Sequence, residues 1–178
     1  MMHLKRLFAL ACCIALALTV TAGYADDAQT QAVKSMPKVV VKDLSGKNFN
    51  TENIKNDGKP IIVSFWATWC KPCILELSTI HDEFPDWQEE TGVKLVAISV
   101  DDARTSRKVK PFINGRGWEY DVYIDENADL KRAMHVNAVP HTFVLNAQRE
   151  VVYEHTSYAP GDELKLLEIV RKVKAGEL

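Results

Sequence analysis

The stretch "IIVSFWATWCKPC", residues 61–73, decides the fold because an apolar segment leads directly into two cysteines. Its first seven residues follow Gly58-Lys59-Pro60 and are typical of a strand buried on both faces of a sheet. Cys70 and Cys73 come next, on the turn into a segment whose apolar residues recur at helical spacing. The stretch therefore predicts a strand, a turn that carries two thiols, and a helix.

The segments around this unit predict an α/β domain. Before it, "KVVVKDLSGKNFN" (38–50) predicts a short hairpin that turns at Ser45-Gly46. The helix after the cysteines contains Pro85, which should kink or break its last turns. Strands that alternate with helices and then close with a hairpin and a helix are typical of an α/β domain. Further strands are predicted at 94–100, 120–125, 141–146 and 151–156, and further helices within 101–115, 127–136 and 161–174.

The N-terminus predicts export. Residues 1–25 begin with two positive charges, continue with an apolar run at 7–20 and end in small residues up to Ala25, which is the layout of a secretory signal peptide. We expect cleavage after Ala25, a flexible leader at 26–36 and one domain at 37–178, located in the periplasm. An uncleaved membrane anchor is the alternative, although the apolar run is shorter than the ~20 residues that a spanning helix needs.

Length, charge and cysteine content restrict the function classes. The chain has 178 residues and, without the signal peptide, suits one domain of about 100 to 200 residues. A formal net charge of −2 at pH 7 gives no indication of a nucleic-acid or anionic-membrane partner. Two of the four cysteines lie in the signal peptide, so the exported chain keeps only Cys70 and Cys73.

Reactivity explains this pair better than stapling does. A structural disulfide stabilises mainly by closing a long loop, and a two-residue loop gains little. The first turn of a helix has unpaired N–H groups and the positive end of the macrodipole, which favour a thiolate at Cys70. Cys73 lies on the same face one turn later and can resolve a mixed disulfide. Pro72 suits the first helical positions, and Lys71 either favours the thiolate or is an ordinary solvated lysine.

These motifs resemble the thioredoxin superfamily and, within it, the exported TlpA/ResA-like branch of thiol-disulfide oxidoreductases. The resemblance covers essentially the whole exported chain. It implies a thioredoxin-like fold, with a central mixed β-sheet flanked by helices, an N-terminal β-hairpin and a TlpA-type central insertion. It rests on "FWATWCKPC" (65–73), Glu76, the segment 101–125 and "VNAVPHTFVLN" (136–146).

The resemblance also implies roles for single residues. Pro140 corresponds to the cis-proline that lies against the cysteine pair and helps to hold a client chain, and Val139 offers the backbone group for that pairing. Glu76 corresponds to the glutamate that tunes thiol proton transfer; an ordinary exposed glutamate is the alternative. Ser64 stands where cytoplasmic thioredoxins have a buried aspartate, so Glu76 is the obvious substitute for that proton acceptor. Leu77 departs from the proline that the branch commonly has near this glutamate.

Other residues are candidates for contact with a client. Trp66 and Trp69 are expected to flank the site, one packed in the core and the other forming its apolar surface. Trp69, Lys71 and Pro72 are the residues expected to contact a client. His141 either approaches the thiols and makes activity sensitive to pH, or is a histidine at the rim of the site. No metal site is expected.

The resemblance implies an exported reductase of protein disulfides that cycles between a Cys70/Cys73 dithiol and disulfide. Its clients would be protein disulfides, in cytochrome c maturation or in disulfide repair. A membrane thiol-disulfide electron donor would restore the thiols, and we expect a monomer without a cofactor other than the redox-active disulfide. One alternative is a disulfide oxidase or isomerase.

Two other function classes fit the residues less well. A copper or zinc delivery protein would use the thiolates as soft ligands, but a closed zinc site needs four ligands. A peroxidase of the peroxiredoxin type requires Pro-x-x-x-Thr-x-x-Cys. The position of its proline is occupied by Val63 for Cys70 and by Trp66 for Cys73, so neither cysteine fits.

Overall fold

A computed structural model describes residues 35–178, and these form one α/β unit. The strands of this unit are β1 (Val40–Asp43), β2 (Asn48–Asn50), β3 (Ile61–Trp66), β4 (Lys94–Ser99), β5 (Asp121–Ile124), β6 (His141–Leu145) and β7 (Val151–Thr156). Its helices are α1 (Lys71–Thr91), α2 (Val109–Arg116), α3 (Asp129–Ala133) and α4 (Asp162–Ala175).

The strands form one mixed sheet in the order β2-β1-β5-β4-β3-β6-β7. Strand β4 runs parallel to β3 on one side and to β5 on the other. The N-terminal hairpin β1–β2 and the C-terminal hairpin β6–β7 join this parallel centre through antiparallel pairs with β5 and β3. The mixed sheet, its flanking helices and both hairpins confirm the predicted thioredoxin-like architecture.

Strand β3 lies in the interior of the domain and is buried on both of its faces. Ile62 and Trp66 belong to the core that also contains residues of α1, α2 and α4. Val63 and Phe65 belong to the opposite core, which contains residues of α3. Since side chains alternate along a strand, a segment between two cores must be apolar at nearly every position, as the sequence of β3 is.

Of the two predicted effects of Pro85, a kink or a break, the break does not occur, because helix α1 is continuous through this residue. An internal proline costs a helix about 3 kcal/mol. Burial of one large aliphatic side chain returns about 1.5–3 kcal/mol, and α1 fully buries Leu77 and Ile80 together with most of Trp87. Packing against the sheet therefore outweighs the local penalty, and the helix ends at Gly92, whose φ of 68° is left-handed.

Two predicted boundaries differ from the structure. Residues 101–105, taken as the start of a helix, are not helical, and only 103–105 form a turn. Helix α2 begins at Val109, after a 3₁₀ turn at Ser106–Lys108. Ser35 and Met36, assigned to the leader, belong to the folded domain, because Ser35 bridges to Glu150 and Met36 is buried.

The predicted signal peptide, its alternative as an anchor, and leader residues 26–34 lie outside the described residues. Between residues 35 and 178, none of the helices has the length and apolar character needed to cross a membrane.

Candidate active site

Cys70 and Cys73 lie at the turn between β3 and α1 and form a disulfide, with Cα atoms 5.3 Å apart. Cys70 is the N-cap of α1, and its Sγ accepts a hydrogen bond from the backbone N–H of Cys73 at 3.3 Å. Pro72 occupies the first helical turn, where its missing N–H leaves no hydrogen bond unmade. Cys70 is therefore held at the positive end of a 21-residue helix, an environment that favours a thiolate after reduction.

The two sulfurs differ in access. Cys70 is 5% exposed and Cys73 is 0% exposed, so the first cysteine of the pair is the more accessible one. Thiol-disulfide exchange requires direct attack on sulfur. The geometry thus suits Cys70 as the residue that meets a client and Cys73 as the one that acts within the protein.

A buried carboxylate anchors the turn that precedes the cysteines. Asp101 is fully buried and accepts hydrogen bonds from the backbone N–H of Thr68 at 2.8 Å and from its hydroxyl at 2.6 Å. The Ser99 hydroxyl also donates to Asp101, at 2.8 Å. Thr68 is two residues before Cys70. Asp101 therefore connects the end of β4 to the active-site turn. The sequence did not predict this role, because its pattern indicates the start of a helix at Asp101 and Asp102.

The Val139–Pro140 peptide bond is cis, as the resemblance implied. Pro140 is buried and directly precedes β6, whose His141 pairs with Phe65 near the end of β3. This register brings Pro140 to the end of the sheet from which the chain continues to the cysteines. Val139 is half-buried and packs against the core that contains both cysteines.

Glu76 is buried on the inner face of α1, one turn after Cys73, and is only 1% exposed. Its Oε1 atom accepts a hydrogen bond from the Thr142 hydroxyl at 2.9 Å and lies 3.1 Å from Nε2 of His155. Within residues 35–178, its Oε2 atom has only a long contact of 3.5 Å, with the Ser64 hydroxyl. The alternative of an ordinary exposed glutamate is therefore wrong.

Thr142 and His155 were missed by sequence reasoning. They are cross-strand partners in the β6–β7 hairpin, and their side chains share the sheet face on which α1 packs. Strand pairing and helix packing together bring both to Glu76. The alternation within "HTFVLN" and "VVYEHT" indicates two strands, but it does not specify this register.

His141 lies on the other face of the sheet from Glu76. Its ring stacks on Phe143 with centroids 4.3 Å apart, and its Nε2 lies 3.4 Å from a carboxylate oxygen of Glu154. Burial lowers the pKa of His141, and the nearby Glu154 partly opposes this shift. The structure therefore places this ring in the core opposite α1, beside the start of β6.

The surface beside Cys70 carries an exposed aromatic side chain. Trp69 is 62% exposed, and Lys71 and Pro72 are exposed next to it. Trp66, in contrast, is fully buried and packs edge to face on Trp118, with ring centroids 5.4 Å apart. Among the described residues, no three histidine, cysteine, aspartate or glutamate side chains lie together in a way that could hold a metal ion.

Comparison with known families identifies the group to which this domain belongs. The model of the AhpC/TSA family matches residues 33–154, which is more than half of the chain. The chain belongs to the AhpC/TSA family. This AhpC/TSA family member is 33% identical to the thiol-disulfide oxidoreductase ResA of Bacillus anthracis over 129 residues, or 72% of each chain. It is 32% identical to a ResA of Bacillus cereus over 141 residues, or 79% of each chain.

Solved structures agree with this assignment. An uncharacterized thioredoxin-like protein from Porphyromonas gingivalis superimposes with a TM-score of 0.71 at 45% identity, over 79% of this chain and 92% of that one. StoA from Bacillus subtilis superimposes with a TM-score of 0.59 at 24% identity, over 75% and 97%, and shares the fold. Together with the Cys70–Cys73 disulfide, the ResA relatives establish this family member as a thiol-disulfide oxidoreductase with a thioredoxin-like fold.

Proposed function

We propose that this oxidoreductase is an exported reductase of protein disulfides that uses Cys70 as nucleophile and Cys73 as resolving thiol. The observation that carries this proposal is the unequal exposure of the two cysteines, with the slightly exposed Cys70 at the helix N-terminus beside exposed Trp69 and Cys73 fully buried. The two thiols supply both electrons, so the cycle requires no cofactor other than the disulfide itself.

The reaction proceeds in two exchange steps. In the first, the Cys70 thiolate attacks one sulfur of a client disulfide; the client S–S bond breaks, and the released client thiolate takes a proton from solvent. In the second, Cys73 loses its proton and attacks Sγ of Cys70. The bond between Cys70 and the client breaks, the Cys70–Cys73 disulfide forms, and the second client sulfur leaves as a thiolate that takes a proton from solvent.

Glu76 is the proposed acceptor of the Cys73 proton. The two residues are three positions apart on α1, a spacing that places side chains next to each other on one helix face. Cys73 and Glu76 are both buried, so a thiol that must ionise there needs an acceptor inside the protein. Ser64, at the position of the aspartate of cytoplasmic thioredoxins, contacts the same carboxylate and cannot replace it as a base.

The client chain is proposed to bind across the surface formed by Trp69, Lys71, Pro72 and the Val139–Pro140 bond. The exposed indole supplies apolar contact area, and the backbone of Val139 supplies a pairing group for an extended client. His141 directly follows Pro140 in the chain, at the start of β6, and is buried.

Export, the direction of electron flow and the partners complete the proposal. The layout of residues 1–25 supports a periplasmic location, and a membrane thiol-disulfide donor would then restore the dithiol. A proline before the second cysteine resembles the reductase pattern. Clients in cytochrome c maturation or disulfide repair fit a monomeric reductase of this kind.

The reduction potential of the Cys70–Cys73 couple tests the direction. The purified protein is equilibrated in thiol buffers and the couple is followed by tryptophan fluorescence, with Cys73→Ser as the control that cannot form the internal disulfide. Reductants of this fold lie near about −270 mV and strong oxidants near about −120 mV. A value below about −220 mV supports the reductase, whereas one above about −170 mV assigns the protein to disulfide formation or isomerisation.

A further inference from the structure

The two oxygens of the buried Glu76 carboxylate have unequal partners. Oε1 accepts a hydrogen bond from the Thr142 hydroxyl at 2.9 Å and lies 3.1 Å from His155 Nε2. Within residues 35–178, Oε2 has only the 3.5 Å contact with the Ser64 hydroxyl. A good hydrogen bond between heavy atoms spans about 2.7–3.2 Å. Oε1 is thus held from two sides, and Oε2 is left with capacity to accept.

The chemistry of the carboxylate determines how the imidazole is oriented. An ionised carboxylate can only accept hydrogen bonds, so the His155 nitrogen that faces it must carry the hydrogen. His155 therefore donates from Nε2 to Oε1. The side chain of His155 is 16% exposed on the edge strand β7, while that of Glu76 is 1% exposed. Within residues 35–178, the hydrogen-bond partners of this carboxylate are Ser64, Thr142 and His155.

We propose that His155 is a positioning residue for the resolving step. By donating to Oε1, it orients the carboxylate so that the proton released by Cys73 goes to Oε2. This inference rests on the proposed role of Glu76 as proton acceptor. It adds that His155 determines which of the two Glu76 oxygens takes the proton. His155 exchanges no electrons and no proton with the client.

The energetic basis is that protonation at Oε2 leaves both hydrogen bonds at Oε1 intact. Transfer to Oε1 would instead compete with two donors already bound there, and a buried donor without an acceptor is costly. The arrangement therefore accommodates the neutral and the ionised carboxyl group with the same contacts. Thr142 alone would leave the carboxylate freer to rotate, because one donor fixes its orientation less well than two.

A matched pair of amides separates position from polarity. In His155→Gln the side-chain amide nitrogen can take the place of Nε2 and still donate to Oε1. In His155→Asn the shorter side chain places its amide near the position of Nδ1, out of reach of Oε1. Both variants are polar and uncharged, so a difference between them reports the donor at the Nε2 position.

The experiment measures the two exchange steps separately by stopped-flow tryptophan fluorescence with a small protein disulfide. The Cys73→Ser background isolates the first step, and the intact pair reports the second. We expect His155→Asn to slow the second step about tenfold, and His155→Gln to stay within about twofold of the unchanged protein. The first step should stay within about twofold in both variants.

Two outcomes would overturn this role of His155. One is equal second-step rates for His155→Gln and His155→Asn. The other is that His155→Asn slows the second step by the same factor when Glu76→Gln is also present, since the histidine would then act without the carboxylate.

The proposed function fails in a different way. If Glu76→Gln alone leaves the second step unchanged, Glu76 is not the acceptor. If no internal disulfide forms during turnover, the two-thiol cycle itself is wrong. Circular dichroism of each variant confirms that the rates are compared between folded proteins.

Discussion

Two histidines on neighbouring strands each face a glutamate, yet the two pairs have different surroundings. His155 meets Glu76, a carboxylate that is 1% exposed and also bound by Thr142, on the face covered by α1. His141 lies 3.4 Å from Glu154, whose side chain is 60% exposed, on the opposite face. The same two residue types thus form a buried network at one site and, at the other, a pair in which a buried histidine faces an exposed glutamate. The burial of the carboxylate makes the difference, because a desolvated charge depends on every partner that it has.

The largest expected effect is on the rate of the second exchange step and comes from Glu76, the buried carboxylate of the two. Glu76→Gln should slow the second exchange step about 100-fold, since an acceptor of this kind contributes at least about that factor. Glu154→Gln, on the exposed side, should change the same rate by less than about twofold. Single-turnover fluorescence measures both, and similar rates for the two variants would contradict the distinction between the pairs.

A second effect tests whether buried carboxylates near the site also hold the fold. Asp101→Asn places an amide N–H₂ or a weaker acceptor against Thr68 and Ser99, so the free energy of unfolding should fall by about 2 kcal/mol. Urea titration of the variant and the unchanged protein gives this difference, provided that the two unfolding curves have the same dependence on urea concentration. Glu154→Gln is again the exposed control and should change the free energy of unfolding by less than about 0.5 kcal/mol. Equal losses would mean that burial does not separate these carboxylates.

The smallest effect concerns the other histidine and is visible only in acid. Burial lowers the pKa of His141, Glu154 raises it in part, and His155 lowers it further. The unfolded chain therefore binds a proton at a pH where folded His141 does not, and stability falls as the pH drops below about 6.5. The loss continues until the pH passes the lowered pKa of the folded state.

His141→Gln should reduce this acid-dependent loss, and Glu154→Gln should enlarge it by removing the opposing charge. Thermal unfolding is measured between pH 7.5 and pH 4.5, at steps of about half a pH unit. It gives the slope of stability against pH for both variants. A steeper acid loss in His141→Gln than in the unchanged protein would contradict the sign of the linkage.

Much of the fold is predictable from local patterns. The apolar segment 61–67, the hairpin at Ser45-Gly46 and the closing hairpin are each encoded by residues that are near one another in the chain. Helix α1 is predictable in its position but not in its continuity, because the penalty of Pro85 is local and the compensation comes from Ile80 and Trp87 packing in a distant core.

The site is predictable in part, for a related reason. Cys70 and Cys73 are recognisable by their spacing, and Glu76 follows them on the same helix face. Asp101 and His155 give no such signal, because Asp101 lies more than 30 residues from Thr68 and His155 lies more than 30 residues from Glu76. Asp101 comes after an ordinary strand, and His155 is one polar position in an alternating edge strand.

The sequence by itself determined the elements, the pair of thiols and their place at the start of a helix, because these depend on contacts between residues a few positions apart. Only the tertiary structure decided which carboxylates are buried and which groups hold them. That outcome depends on the register of β6 against β7 and on the packing of α1 on the sheet, which join Thr142, His155 and Glu76 across the fold. Strand register follows from the collective burial of two cores, and no single segment contains that information.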